Sequence, residues 1–230
     1  MKCGIEMTTT CYKRSTIRQW HRMIAVTLVM VGHAWGGSLS AKIVDPSGNP
    51  VADAAVYALP RAVARGHVRA PKGVAIEQKD REFVPYVTVV QTGTTVSFPN
   101  RDPLLHHVYS FSPAKSFEIK LYSGDAPRGI VFDKPGTVTL GCNIHDWMIG
   151  YILVVETPFF GKSGVDGKVH ISELTAGEYE VVVWHPTQRA VAEPKAVRID
   201  ADVGADVMFT LDATPRIKRF KPPLDGVRYK

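Results

Sequence analysis

Residues 132–154 read F-D-K-P-G-T-V-T-L-G-C-N-I-H-D-W-M-I-G-Y-I-L-V. A turn signal, D-K-P-G, leads into an alternating run, Gly136–Gly141. A second β-rich run follows at Gly150–Val155. β-branched and aromatic residues bounded by Gly and Pro at these lengths are strands. The residues between them form a loop holding Cys142, His145 and Met148 in the spacing C-x2-H-x2-M. A thiolate, an imidazole and a thioether thus lie within seven residues.

The same pattern extends outward. Further strands are expected at Ala41–Val44, Ala54–Leu59, Gly73–Lys79, Tyr86–Gln91, Thr94–Pro99, His107–Phe111, Phe117–Leu121 and Arg128–Phe132. D-P-S-G-N-P, T-G-T, P-N-R-D-P and S-G-D-A-P separate them as turns. No segment after residue 40 has helical periodicity over a helix length. Many short strands at even spacing make the chain all-β, a sandwich or barrel class.

A second source of imidazole, His106–His107, opens one of these strands. Two His, one Cys and a weak axial Met form the ligand set of a blue-copper site. Zinc is the competing metal, although structural zinc sites take four Cys/His ligands and no Met. Strand alternation turns successive side chains to opposite faces, so His106 and His107 compete for one ligand position.

The stretch Val74–Glu156 resembles the cupredoxins. F-V-P-Y-V-T-V-V-Q-T-G-T-T-V-S-F-P-N-R-D-P-L-L-H-H-V is similar to the first half of that family, in which a G-T-x-V-x-F-x-N strand leads to the first ligand. The Cys142 loop is similar to the second half, with the spacing of amicyanin-like members and of chains called methylamine utilization proteins. The resemblance implies a Greek-key sandwich holding one type 1 copper. His106, Cys142 and His145 would be equatorial ligands, and Met148 axial. The family has Asn after the first His, tying the ligand loops together. This chain has His107 there, which either takes that role or is itself the ligand in a shifted register. His107, Asn100 and Asn143 are the expected supporting residues. Leu104, Leu105 and Trp147 are the expected apolar patch for docking a partner.

The site also excludes functions. Cupredoxin domains of copper oxidases and nitrite reductases have His beside the ligand Cys, leading to a second copper. Here the neighbours are Gly141 and Asn143. A binuclear centre of the cytochrome-oxidase type needs two Cys, and only Cys142 lies beyond residue 11. Four protein ligands leave no open position for substrate. The expectation is an electron carrier, not an enzyme, serving a dehydrogenase or cytochrome. The competing reading is a copper-handling protein without a carrier role.

Residues 41–60 and 164–186 resemble the opening and continuation of carboxypeptidase-regulatory-like, transthyretin-like sandwiches. Ala196–Asp200 and Ala205–Leu211 would be the last strands. The implied organisation is a split sandwich, 41–60 plus 162–213, with the copper module at 73–157 inserted. His170 is expected on the solvated face of its strand, and His185 at a strand end. His67 lies in a basic linker.

The chain has 230 residues and a formal net charge of +6. That excess is terminal: residues 1–36 carry +4, residues 214–230 carry +5, and the remainder is −3. A folded basic face for nucleic acid is therefore not indicated. The basic stretch Lys13–Arg22, the short apolar run Met23–Trp35 and the small residues after it make residues 1–36 a secretory signal, cleaved after residue 36 or 40. Such a run is too short to span a bilayer. The chain is expected in the periplasm, with no transmembrane span once processed. Residues 214–230 are expected to be a basic, Pro-rich flexible tail.

Overall fold

The computed structural model describes residues 36–62, 72–125, 128–201 and 203–214. Among them are seventeen strands and no helix. In chain order they are β1 (Gly37–Val44), β2 (Ala55–Pro60), β3 (Val74–Ala75), β4 (Glu77–Lys79), β5 (Glu82–Val84), β6 (Val87–Gln91), β7 (Thr94–Ser97), β8 (His106–Ser112) and β9 (Lys115–Tyr122). There follow β10 (Ile130–Phe132), β11 (Gly136–Gly141), β12 (Ile149–Val155), β13 (Phe160–Lys162), β14 (Lys168–Leu174), β15 (Gly177–Trp184), β16 (Lys195–Ile199) and β17 (Gly204–Thr210). The fold is all-β, as the alternating sequence requires.

Residues 74–155 form a five-stranded sheet, β6-β12-β11-β8-β9, and a three-stranded sheet, β10-β7-β3. The decisive hairpin is antiparallel, with Gly136 opposite Val154 and Gly141 opposite Ile149. Its alternation is plain in β11, where Val138 and Leu140 are wholly buried and Thr139 is exposed. Those two side chains join Phe98, Phe132, Val108 and Ile152 in one apolar cluster, and Cys142 and Met148 belong to the same cluster. The metal-ligand types therefore sit at the edge of a packed core. Loss of a buried Phe there costs about 3–5 kcal/mol.

The strands on either side of this segment meet each other. β1 lies between β14 and β17, and β2 lies in a second sheet of order β13-β2-β15-β16. Leu39, Ile43, Val56, Leu174, Tyr179 and Phe209 are buried together between these sheets. β1 and β17 run parallel, paired from Ser38–Gly204 to Val44–Thr210. A third cluster links the two sandwiches: Ala55, Leu153 and Val155, with Tyr57, Val89, Phe160 and Trp184 against them. Tyr151 meets Trp184 edge to face, 6.4 Å between ring centroids.

Two strands were not anticipated. β5 follows a tight Asp80–Arg81 turn in which both residues have positive φ, 55° and 56°, without glycine. β13 is three residues long and pairs with β2 through Phe160–Lys162. The expected strand at Gly73–Lys79 is two strands, β3 and β4, on different sheets. His170 is exposed, with Nδ1 3.3 Å from Ser40 Oγ. His185 follows β15 but is buried, with Nδ1 accepting from Thr187 N at 3.2 Å. The N-terminal signal, His67 and the residues beyond 214 lie outside the described residues. Among the described residues, no helix is long and apolar enough to cross a membrane.

Candidate metal centre

Cys142 stands one residue beyond β11, where the chain leaves the sheet. The loop then folds back, with Met148 N donating to His145 O at 2.9 Å. This turn buries Cys142, His145 and Met148 together, at 4, 3 and 2% exposure. His106 enters from β8, whose neighbour β11 pairs with it at Tyr109–Gly141. Cys142 Sγ lies 3.7 Å from His145 Nδ1 and 3.9 Å from His106 Nδ1. The ligating atoms of His106, Cys142 and His145 are all within 4.8 Å of one another. The two imidazole rings are 4.9 Å apart.

Both His106 and His107 are buried, which simple alternation does not allow. The β8–β9 register shifts between His106 and Val108, and this irregularity breaks the two-residue period. His106 points to Cys142. His107 points away from the cluster, with Nε2 2.9 Å from Glu118 Oε1 and its ring 5.6 Å from Tyr109.

The His106 loop is tied down by two acidic or amide side chains. Asn100 donates to Leu104 O at 2.7 Å and Tyr122 O at 3.0 Å, and accepts from Asp102 N at 3.0 Å. Asp102 Oδ2 meets His106 Nε2 at 2.8 Å. Its carboxylate also accepts from Asp80 N at 2.7 Å and Arg81 N at 2.8 Å. Burial would raise the Asp102 carboxyl, but the hydrogen bonds from Arg81, His106 and Asp80 hold it below the ordinary carboxylate value. A carboxylate acceptor at Nε2 places the ring proton there and leaves the Nδ1 lone pair facing Sγ.

His145 is held neutral. Burial, then the neighbouring His106 and Arg81, push its pKa down to about 4, against the smaller pull of Asp102. A neutral imidazole is the form that ligates a metal. Sulfur and nitrogens at 3.7 and 3.9 Å hydrogen-bond weakly, so the cluster is poorly satisfied by its own members. One soft cation bridging them would satisfy all three. Sulfur with two imidazoles fits copper.

Asn100 is buried beside the site. Asn143 is exposed on the loop, and the Nε2 of His107 is turned to Glu118. Asn100 and Asp102 secure the His106 loop. Leu104 and Leu105 are partly buried at its mouth. Trp147 and Ile144 pack partly against the central core, and the Trp147 ring is 5.2 Å from His145. Sequence reading missed Asp102. Its signal is a carboxylate four residues before His106 in D-P-L-L-H, which becomes meaningful only once the loop's bend is known.

No protein-family model matches the chain, and no curated protein does. Solved structures do. The Cu-containing nitrite reductase (NirK) from Thermus scotoductus SA-01 matches at 27% identity and TM-score 0.36, over 43% of this chain and 26% of that one. The chain thus spans about a quarter of the reductase's length. A purple cupredoxin from Nitrosopumilus maritimus matches at 21% identity and TM-score 0.32, over 36% of this chain and 99% of that one. Amicyanin from Paracoccus versutus matches at 19% identity and TM-score 0.31, over 42% and 92%.

Proposed function

We propose that this chain is an exported type 1 (blue) copper protein that carries single electrons between redox proteins. The observation that supports it is the buried meeting of His106 Nδ1, Cys142 Sγ and His145 Nδ1 within 4.8 Å, with Met148 buried in the same loop. A copper ion held by these side chains would supply a one-electron Cu(I)/Cu(II) couple. The protein's part is to keep the donors fixed in both states. Two strands and the backbone bond from Met148 to His145 hold the Cys142 loop. Asp102 fixes the tautomer of His106, and the low pKa of His145 keeps its ring unprotonated at neutral pH.

Four protein donors, with Gly141 and Asn143 flanking the thiolate, favour a carrier over an enzyme. The partner would dock over the half-buried Leu104, Leu105 and Trp147, beside His145. We read the central sandwich as a cupredoxin inserted in a carboxypeptidase-regulatory-like one, since β1 and β2 pair with strands that follow it. Of the two cleavage positions for the signal, that after Gly36 keeps the fully buried Leu39, and that after Ser40 removes it.

The test is to express residues 37–230, add Cu(II), and record visible absorption and electron paramagnetic resonance, with Cys142→Ser as control. An intense charge-transfer band and narrow copper hyperfine splitting, both lost in Cys142→Ser, are expected. A colourless protein that binds Cu(II) weakly would end the proposal.

A further inference from the structure

The β4–β5 hairpin has an unusual turn. Asp80 and Arg81 both have φ near +55°; two-residue hairpin turns accept Asp at the first such position, but at the second, where Arg81 stands, they normally recruit Gly. Backbone strain of this kind persists only where its surroundings over-determine it. Here the turn's two successive amides converge on one anion, since Asp80 N donates to Asp102 Oδ1 and Arg81 N to Asp102 Oδ2. Consecutive backbone N–H groups of this sort make an anion-binding concavity. The anion they hold is the carboxylate that meets His106 Nε2 at 2.8 Å. From the same turn the Arg81 guanidinium lies over the Trp147 ring, 5.8 Å from its centroid, and that ring lies 5.2 Å from His145. The hairpin is itself anchored: Gln78 N donates to Pro99 O at 2.9 Å, Arg101 N to Gln78 O at 2.8 Å, and Phe83 is wholly buried.

We propose that this hairpin turn is the strut that presets the donor cluster. It grips the His106 loop through the Asp102 carboxylate and the His145 loop through Arg81 on Trp147. Asp102 is thus a positioning residue with two separable effects. Its acceptor oxygen orients His106, and its negative charge favours the more highly charged state of a metal held there. Arg81 acts on the other loop, through its side chain and not its amide. The proposal rests on the copper reading only for the charge effect of Asp102 and for the spectrum that reads out Arg81.

The experiment compares the parent (residues 37–230) with Asp102→Ala, Asp102→Asn, Arg81→Gly and the exposed control Lys79→Ala. Circular dichroism verifies the fold of each. In the metal-free protein, ring nitrogen-15 spectra read the His106 tautomer directly. The parent and Lys79→Ala keep the proton on Nε2, and so does Asp102→Asn with its amide oxygen in the Oδ2 place, although its NH2 then opposes Asp80 N and that one turn contact is lost. Asp102→Ala loses that preference. With copper, Asp102→Ala lowers Cu(II) affinity by about 10–100-fold. Asp102→Asn lowers the Cu(II)-to-Cu(I) affinity ratio about tenfold, a rise in potential of about 59 mV. Arg81→Gly keeps both amides and the His106 tautomer but alters the copper spectrum through His145. A folded Asp102→Ala with an unchanged His106 tautomer overturns the strut. A potential unmoved in Asp102→Asn overturns the charge effect. A parent without a thiolate–copper band defeats the copper reading alone, and the metal-free ring spectra still decide for or against the strut.

Discussion

Gly150 is buried in β12, two residues beyond Met148, directly beneath the hairpin that carries Asp80 and Arg81. A Cβ built on it would lie 2.8 Å from Phe83 Cβ and 3.2 Å from Phe83 Cγ. Carbon atoms rest at about 3.5–4.0 Å, so β5 and β12 must part by roughly 0.7–1 Å to admit it. Phe83 is wholly buried and its Cβ sits one bond from the backbone, so no change of rotamer relieves the contact. Gly150 does not have positive φ, and alanine fits the strand backbone there. On backbone grounds alone Gly150→Ala would stabilise by about 0.4–1 kcal/mol. Because this contact cannot relax by a change of rotamer, overpacking costs about 2–3 kcal/mol, the upper part of its usual range, leaving a net loss of about 1–2.6 kcal/mol. For a chain of this size that lowers Tm by roughly 2–10 °C. Guanidinium unfolding at constant slope and a thermal scan measure it. The control is Gly73→Ala, where the new Cβ meets only Thr95 O at an ordinary 3.7 Å. If Gly150→Ala proves as stable as the parent or more so, the close approach of hairpin and sheet is not what holds Phe83 in place.

Three further outcomes follow from other parts of the fold. Ser163→Ala removes the hydroxyl that donates to Val51 O at 2.8 Å and accepts from Ala54 N at 2.9 Å, and unfolding by denaturant should show a loss of about 1–3 kcal/mol. Burial holds His185 below the ordinary value of 6.5, with Asp53 and Ala52 opposing. The unfolded chain then binds more protons, so stability present above pH 6.5 is lost as the pH falls below it. His185→Gln should make that decline shallower, but His145, with a pKa of about 4, keeps some slope; an identical decline in parent and variant contradicts the assignment. Truncating Leu104 or Leu105 to Ala should slow electron exchange with a protein partner about tenfold, equivalent to ~1.4 kcal/mol of docking energy, with the copper spectrum unchanged. Equal rates in both variants count against the docking patch.

Much of the all-β architecture is legible in the sequence because β-branched runs and turn residues announce it locally. β11 lies at its expected bounds, and β6, β12 and β17 within a residue or two of theirs. β5 is not legible, because E-F-V is short and its turn carries Arg81 where such turns usually employ Gly. The break between β3 and β4 is equally silent, since their different partners are chosen by tertiary pairing. At the site, C-x2-H-x2-M is local and therefore visible. The alignment of His106 with it depends on a register shift in β8 that no alternation rule foresees. Asp102 and Arg81 are invisible for a related reason: the contacts that give them meaning, Asp102 with the amides of Asp80 and Arg81 and Arg81 with Trp147, join residues some twenty or more apart in sequence.

The parallel pairing of β1 with β17 bears on the order in which the molecule assembles. Residue 38 cannot find its neighbour until residue 204 exists, so a chain emerging from its N-terminus holds its first strand unpaired on that edge throughout synthesis. Contacts this distant in sequence are slow to form. The strands from 74 to 155 face no such wait, since every partner they use lies within that interval. The central sandwich can therefore close first, with its donor cluster assembled, while the flanking strands are still an open clasp. β17, the last of the described strands to arrive, is the one that shuts it.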